Sequence, residues 1–112
     1  MRDSGPDNDQ TINGLLRTIK FGTPDEGTEA LKSLRSSRPD LASVQSDLSS
    51  LVVDESRDAE LRVWSAITLA GLGDRSDAVL RMILRALEVS TRDYPETIYA
   101  ALMVEGEIAF AL

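Results

Sequence analysis

Apolar residues recur at helical spacing along nearly the whole chain, and no segment sustains the alternation of a strand. Ile12, Leu15, Leu16 and Ile19 make an i, i+3, i+4, i+7 stripe that predicts a first helix ending near Phe21-Gly22. Thr23-Pro24-Asp25-Glu26 then reads as N-cap, N1 proline and acidic first turn of a second helix, whose buried face is Ala30, Leu31 and Leu34. In the next break, Ser36-Ser37-Arg38-Pro39-Asp40, Ser37 and Asp40 have the spacing of a capping arrangement. Leu41, Val44, Leu48, Leu51 and Val52 give a third helix one narrow core-facing stripe, with Ser, Gln and Asp on its other side. Residues 53–58 interrupt. A fourth helix follows, then a fifth from Asp74 or Ser76 to about Val89, and a sixth from beyond Tyr94-Pro95 towards Leu112. The fold class this predicts is all-α.

The fourth helix is unusual. Residues 61–74 read LRVWSAITLAGLGD, apolar nearly all the way round and closing on Gly-Leu-Gly-Asp. A helix with no polar face needs neighbours on every side. Gly71 and Gly73 are expected to end it through a left-handed C-cap, with Asp74 capping the next helix. Trp64 is expected to be the largest buried side chain.

Sliding the chain by 38 residues sets Thr68-Leu69 and Leu72 on Ala30-Leu31 and Leu34. The same shift sets Val79, Met82, Ala86 and Val89 on Leu41, Val44, Leu48 and Leu51. A third unit opens near Tyr94, where Ile98, Ala101 and Val104 lie 37 positions after Leu61, Trp64 and Ile67.

Glu60-Leu61-Arg62-Val63, followed by Ala66, Leu69, Gly71-Leu72-Gly73-Asp74 and Val79-Leu80-x-x-x-Leu84, resembles the HEAT-like repeat family in its short bacterial form, found in proteins related to phycobilisome lyase subunits. The first copy departs from that pattern, with Arg35-Ser36-Ser37 where the family has Gly-Asp, and the third is incomplete. The resemblance implies a right-handed α-solenoid of about five or six helices in antiparallel pairs, in which an all-apolar helix belongs to a middle repeat. It also implies a concave face lined by second helices. No position matches a catalytic motif of the lyase relatives.

Composition narrows the choice further. Residues 1–56 carry 6 basic and 10 acidic side chains and residues 57–112 carry 6 and 9, for a net charge of -7. With no Lys/Arg run, neither nucleic acid nor an anionic membrane surface is the expected partner. The absence of Cys and His removes the commonest nucleophile, general base and metal ligands, so no metal or cofactor is expected. Glu105 and Glu107 point to different helix faces, Ser65 and Thr68 are expected to bond their own backbone, and Lys20 and Lys32 have no distinctive partner, so the chain reads as a non-enzyme. Residues 1–10, rich in Gly, Pro, Asp and Asn and without a signal-peptide core, read as a disordered lead-in to a helical domain over 11–112, with a cytoplasmic location as the default. Arg outnumbers Lys 10 to 2, a bias pointing to a GC-rich bacterial source.

Two surfaces stand out as candidate partner sites. Arg81, Arg85, Glu88 and Arg92 fall within about 60° of one another on the fifth helix and form its one polar stripe, a cationic ridge suited to an acidic peptide or carboxylate. The competing reading comes from the 38-residue offset, which pairs Arg85 with Asp47 and Arg92 with Asp54, neutralising the cations internally. The second surface is the apolar C-terminus, where Leu102, Ile108, Phe110 and Leu112 suggest an oligomer interface, either a homodimer contact or a cover from another protein; the plain alternatives are that this helix folds onto the fourth and fifth or that further repeats follow it. The functional expectation is therefore a non-catalytic protein-protein interaction or scaffold module. Its alternatives are a small inhibitory or immunity-type protein docking a basic partner and a regulatory or lyase-type subunit associated with an enzyme.

Overall fold

A computed structural model of the protein describes residues 4–89, with side chains over residues 12–86. Among these residues there are five helices and no strand: α1 (Ser4–Phe21), α2 (Pro24–Ser37), α3 (Leu41–Val53), α4 (Ala59–Gly71) and α5 (Asp77–Val89). The described residues are all-α, as the periodicity predicts. The expected sixth helix lies outside the described residues.

Local chemistry explains most boundaries. α1 starts at Ser4 and so takes in residues that composition assigns to the lead-in; Pro6 is tolerated there because a first-turn N–H has no partner inside the helix. α2 opens with a reciprocal capping box, in which the Thr23 hydroxyl accepts from the Glu26 N–H at 3.1 Å and the Thr23 N–H donates to Glu26 Oε1 at 2.9 Å. It ends at Arg38, which takes the left-handed conformation with φ 50°. The capping expected of Ser37 and Asp40 does not form: Ser37 is the last residue of α2 and donates to the Ser33 carbonyl, while Asp40 stands at the N-cap of α3 without a side-chain bond.

α4 is central. It packs against α2, α3 and α5, and every residue of the run 63–70 is buried, which accounts for a helix with no polar face. The two hydroxyls in that run are satisfied within the helix, Ser65 Oγ donating to the Leu61 carbonyl and Thr68 Oγ1 to that of Trp64. Trp64 is 4% exposed. Only one of the two glycines has the expected conformation: Gly73 takes φ +110°, whereas Gly71 is still helical. Asp74 is buried and caps the turn rather than the helix, because its Oδ1 accepts from the Ser76 N–H while α5 starts at Asp77.

The other packings are α1 on α2 and α3 on both α4 and α5. Equivalent positions recur, but at 35 residues rather than 38. Thr23 and Asp58 are the N-caps of α2 and α4 and each accepts from the N–H three residues on; buried Val44, Leu48 and Leu51 of α3 correspond to buried Val79, Ile83 and Ala86 of α5. The two offsets differ by three residues, close to one helical turn. The longer one therefore kept the core faces aligned while misplacing the surface pairs.

Candidate functional site

The surface expected to bind a partner begins with α5. Val79, Ile83 and Ala86 turn into the core, and that places Arg81 and Arg85 outward, both exposed. Arg81 Nη2 lies 3.9 Å from Asp77 Oδ2 with both side chains more than four-fifths exposed, a loose contact that leaves its charge available to solvent. Arg85 has no ion pair among the described residues. The Glu88 side chain and Arg92 lie outside the described residues, as do Leu102, Ile108, Phe110 and Leu112 of the expected C-terminal interface.

The internal neutralisation predicted from the 38-residue offset does not occur at Arg85. Asp47 instead binds Lys20 of α1 at 2.7 Å. At the observed 35-residue equivalence the position matching Arg85 is Ser50, so Asp47 sits almost a turn away from it. Asp54 is engaged within its own turn, where Oδ1 accepts from the Ser56 N–H at 3.0 Å and its hydroxyl at 2.6 Å. These bonds, the hydroxyl's first, hold the Asp54 carboxyl below its ordinary range. Lys32, which the sequence left without a partner, pairs with Glu29 at 3.0 Å and lies 5.6 Å from the centre of the Trp64 ring.

Arg85 stands at a groove of about 340 Å³ between α4 and α5. Half-buried Met82, backed by buried Val63 and Ala86, supplies its apolar wall, and Ala59, Arg62 of α4 and Glu55 of the turn before it complete the lining with Arg85. Sequence reasoning missed Arg62. Its Nε and Nη2 both donate to the Val52 carbonyl, at 3.1 and 2.9 Å, so the guanidinium caps the C-terminus of α3 and stays fixed at the groove. The available signal was its isolation, since it is the one charged residue between Leu61 and Gly73. A groove with an apolar wall, one fixed and one exposed guanidinium and a single carboxylate, Glu55, can hold an apolar side chain next to a carboxylate.

A second depression, about 500 Å³ and shallow, lies between α1 and α2. Leu15, Thr18, Ala30 and Ser33 form its floor, and the carboxylates of Asp25, Glu26 and Glu29 edge it. Negative charge continues onto α4. Glu60 titrates above its ordinary range, chiefly through burial, then through the nearby negative charges of Asp58 and Asp25, against the opposing pull of Lys32.

Among the described residues no group of three His, Cys, Asp or Glu side chains is placed to hold a metal ion, and no helix is long and apolar enough to cross a membrane. No family model matches the chain, and neither a curated protein nor a solved structure matches it.

Proposed function

We propose that this protein is a non-catalytic binding module, built as a HEAT-like α-solenoid, that captures an acidic, partly apolar segment of a partner protein in the α4–α5 groove. The packing of α2 on α4 and of α3 on α5, next neighbours but one in the chain, supports the solenoid reading because stacked helical pairs make these contacts. One observation carries the binding site: Arg85, exposed and without an ion pair among the described residues, stands beside Met82, Ala86 and Val63 in a groove already holding a second guanidinium. Uncommitted arginine beside apolar wall is the composition of a peptide-docking hot spot.

The test is a fluorescence-anisotropy titration with a labelled peptide of alternating Leu and Glu, compared with its Leu/Gln counterpart. Binding of the Glu peptide that weakens with salt and falls about tenfold or more in Arg85→Glu is the expected result. Equal affinity for the two peptides, or for the two proteins, would remove the reading.

A further inference from the structure

We propose that the trough between α1 and α2 is a second docking site, on another face and of opposite charge, and that its occupant is a cationic amphipathic helix of a partner protein. It does not depend on the α4–α5 groove.

The shape follows from the hairpin. Gly22 and Thr23 alone separate α1 from α2, so the chain turns back and lays Leu15 and Thr18, one turn apart, beside Ala30 and Ser33. From Glu26 to Ser33 is seven residues, about 10 Å of helix, or two turns. A trough flanked by two helices offers no free backbone donors or acceptors to an extended strand, but receives the side-chain ridge of a third helix. Its floor of one Leu, one Ala, a Thr methyl and a Ser suits small apolar side chains at i and i+3 or i+4.

Charge selects the occupant. Asp25, Glu26 and Glu29 are all exposed, and Glu26 Oε1 accepts from the Thr23 N–H. Against these three carboxylates stands Lys32, held by Glu29 and by the face of Trp64. The negative field reaches α4, where burial first, then Asp58 and to a smaller extent Asp25, push the Glu60 carboxyl upward against the pull of Lys32. Lys or Arg on the shoulders of a docked helix would meet Asp25, Glu26 and Glu29, and an acidic helix would be repelled.

The probe is a labelled peptide of roughly 15–20 residues built from Leu, Ala and Lys with one apolar stripe. It is compared with a scrambled peptide of identical composition and with a Glu-for-Lys version. Fluorescence anisotropy is read against the wild type, Asp25→Asn/Glu29→Gln, Ser33→Arg and Arg85→Glu. The two trough variants change exposed side chains and leave the Thr23–Glu26 cap intact, so the fold persists; circular dichroism verifies it.

The expected result is saturable binding of the striped Lys peptide, at least about tenfold weaker for its scramble and for both trough variants and unchanged in Arg85→Glu, with any binding of the Glu peptide unaffected by the trough variants. Equal affinity for striped and scrambled peptides, or indifference to the trough variants, would reduce the effect to diffuse attraction and overturn the proposal. So would no binding in the millimolar range. Self-association of the chain that Ser33→Arg abolishes would give the trough to a second copy instead. Because this peptide and the Leu/Glu peptide carry opposite charge, either site can fail without the other.

Discussion

Gln45 of α3 donates its Nε2 hydrogen to Asp74 Oδ2 at 3.1 Å, and this bond fastens α3 to the turn between α4 and α5. Asp74 is 3% exposed and also receives the Ser76 N–H at 2.8 Å on its other oxygen. Burial pushes its carboxyl up, but the hydrogen bonds from Ser76 and Gln45 and the charge of Arg75 outweigh it, and Asp74 titrates below its ordinary range. A carboxyl depressed in the folded state contributes stability that is complete above the unfolded-state value of about 3.9 and is lost as pH falls through the lower folded value. Asp74→Ala is therefore expected to cost about 1–3 kcal/mol at neutral pH in urea unfolding, and the difference from wild type should shrink below about pH 4. A difference that stays constant down to pH 3 would show that the charge is not its source.

Trp64 combines a favourable body with an unfavourable tip. Its ring is buried among α2 and α4, with the Lys32 ammonium 5.6 Å from the ring centre, yet its indole N–H is buried without an acceptor among the described residues. Truncation to alanine removes both and is expected to cost about 3–5 kcal/mol. Trp64→Phe keeps most of the apolar contact and removes a donor whose burial costs about 1–3 kcal/mol, so it should cost less than half as much. Chemical unfolding of the two variants decides it. Equal losses would mean that the N–H does find an acceptor.

How much of this was legible in sequence depends on what each feature rests on. The Thr23-Pro24-Asp25-Glu26 cap and the buried stripe of α3 are local, and both stand as predicted. The burial of α4 could be inferred because seven of its residues from Leu61 to Ala70 are apolar and lie nearly all the way round the helix. Surface pairing was not legible. Asp47 meets Lys20 and not Arg85 because an apolar match at 38 residues cannot distinguish a shift of one turn, and one turn decides which side chains meet. Arg62 escaped notice for a related reason: its partner is a backbone carbonyl, Val52, and carbonyls leave no trace in composition.

Gly27 is a helix-interior glycine whose position is dictated by packing. A Cβ built there would come within 2.7 Å of Leu61 Cδ1 and 3.6 Å of the Ile19 backbone, so here α2 lies close to both α4 and α1. The helix accepts the conformational cost of glycine, about 1 kcal/mol relative to alanine, in exchange for that approach. Gly27→Val adds a branched side chain where Leu61, only 1% exposed, has nowhere to retreat. Thermal unfolding is expected to report a loss of about 1–3 kcal/mol. A neutral or stabilised variant would mean that α2 and α4 can separate without loss of core contact.

The arginines of the α4–α5 groove should part company in stability measurements. Arg62 gives two charge-assisted bonds to the Val52 carbonyl, so Arg62→Ala leaves a part-buried helix-terminal acceptor without its donors and is expected to cost about 1.5–3 kcal/mol. Arg62→Lys restores the charge but not the two-pronged donor, and should recover only part of that loss. Arg81 and Arg85 are exposed, and among the described residues the one ion pair either makes is the 3.9 Å approach of Arg81 to a solvent-exposed Asp77. Alanine at either position should move urea-unfolding stability by less than about 0.5 kcal/mol. That contrast is what makes Arg85 a clean probe of binding: a side chain that contributes little to the fold can lose affinity only by losing a partner. If Arg85→Ala proves as destabilising as Arg62→Ala, the guanidinium is committed to the fold and the groove has no free cation to offer.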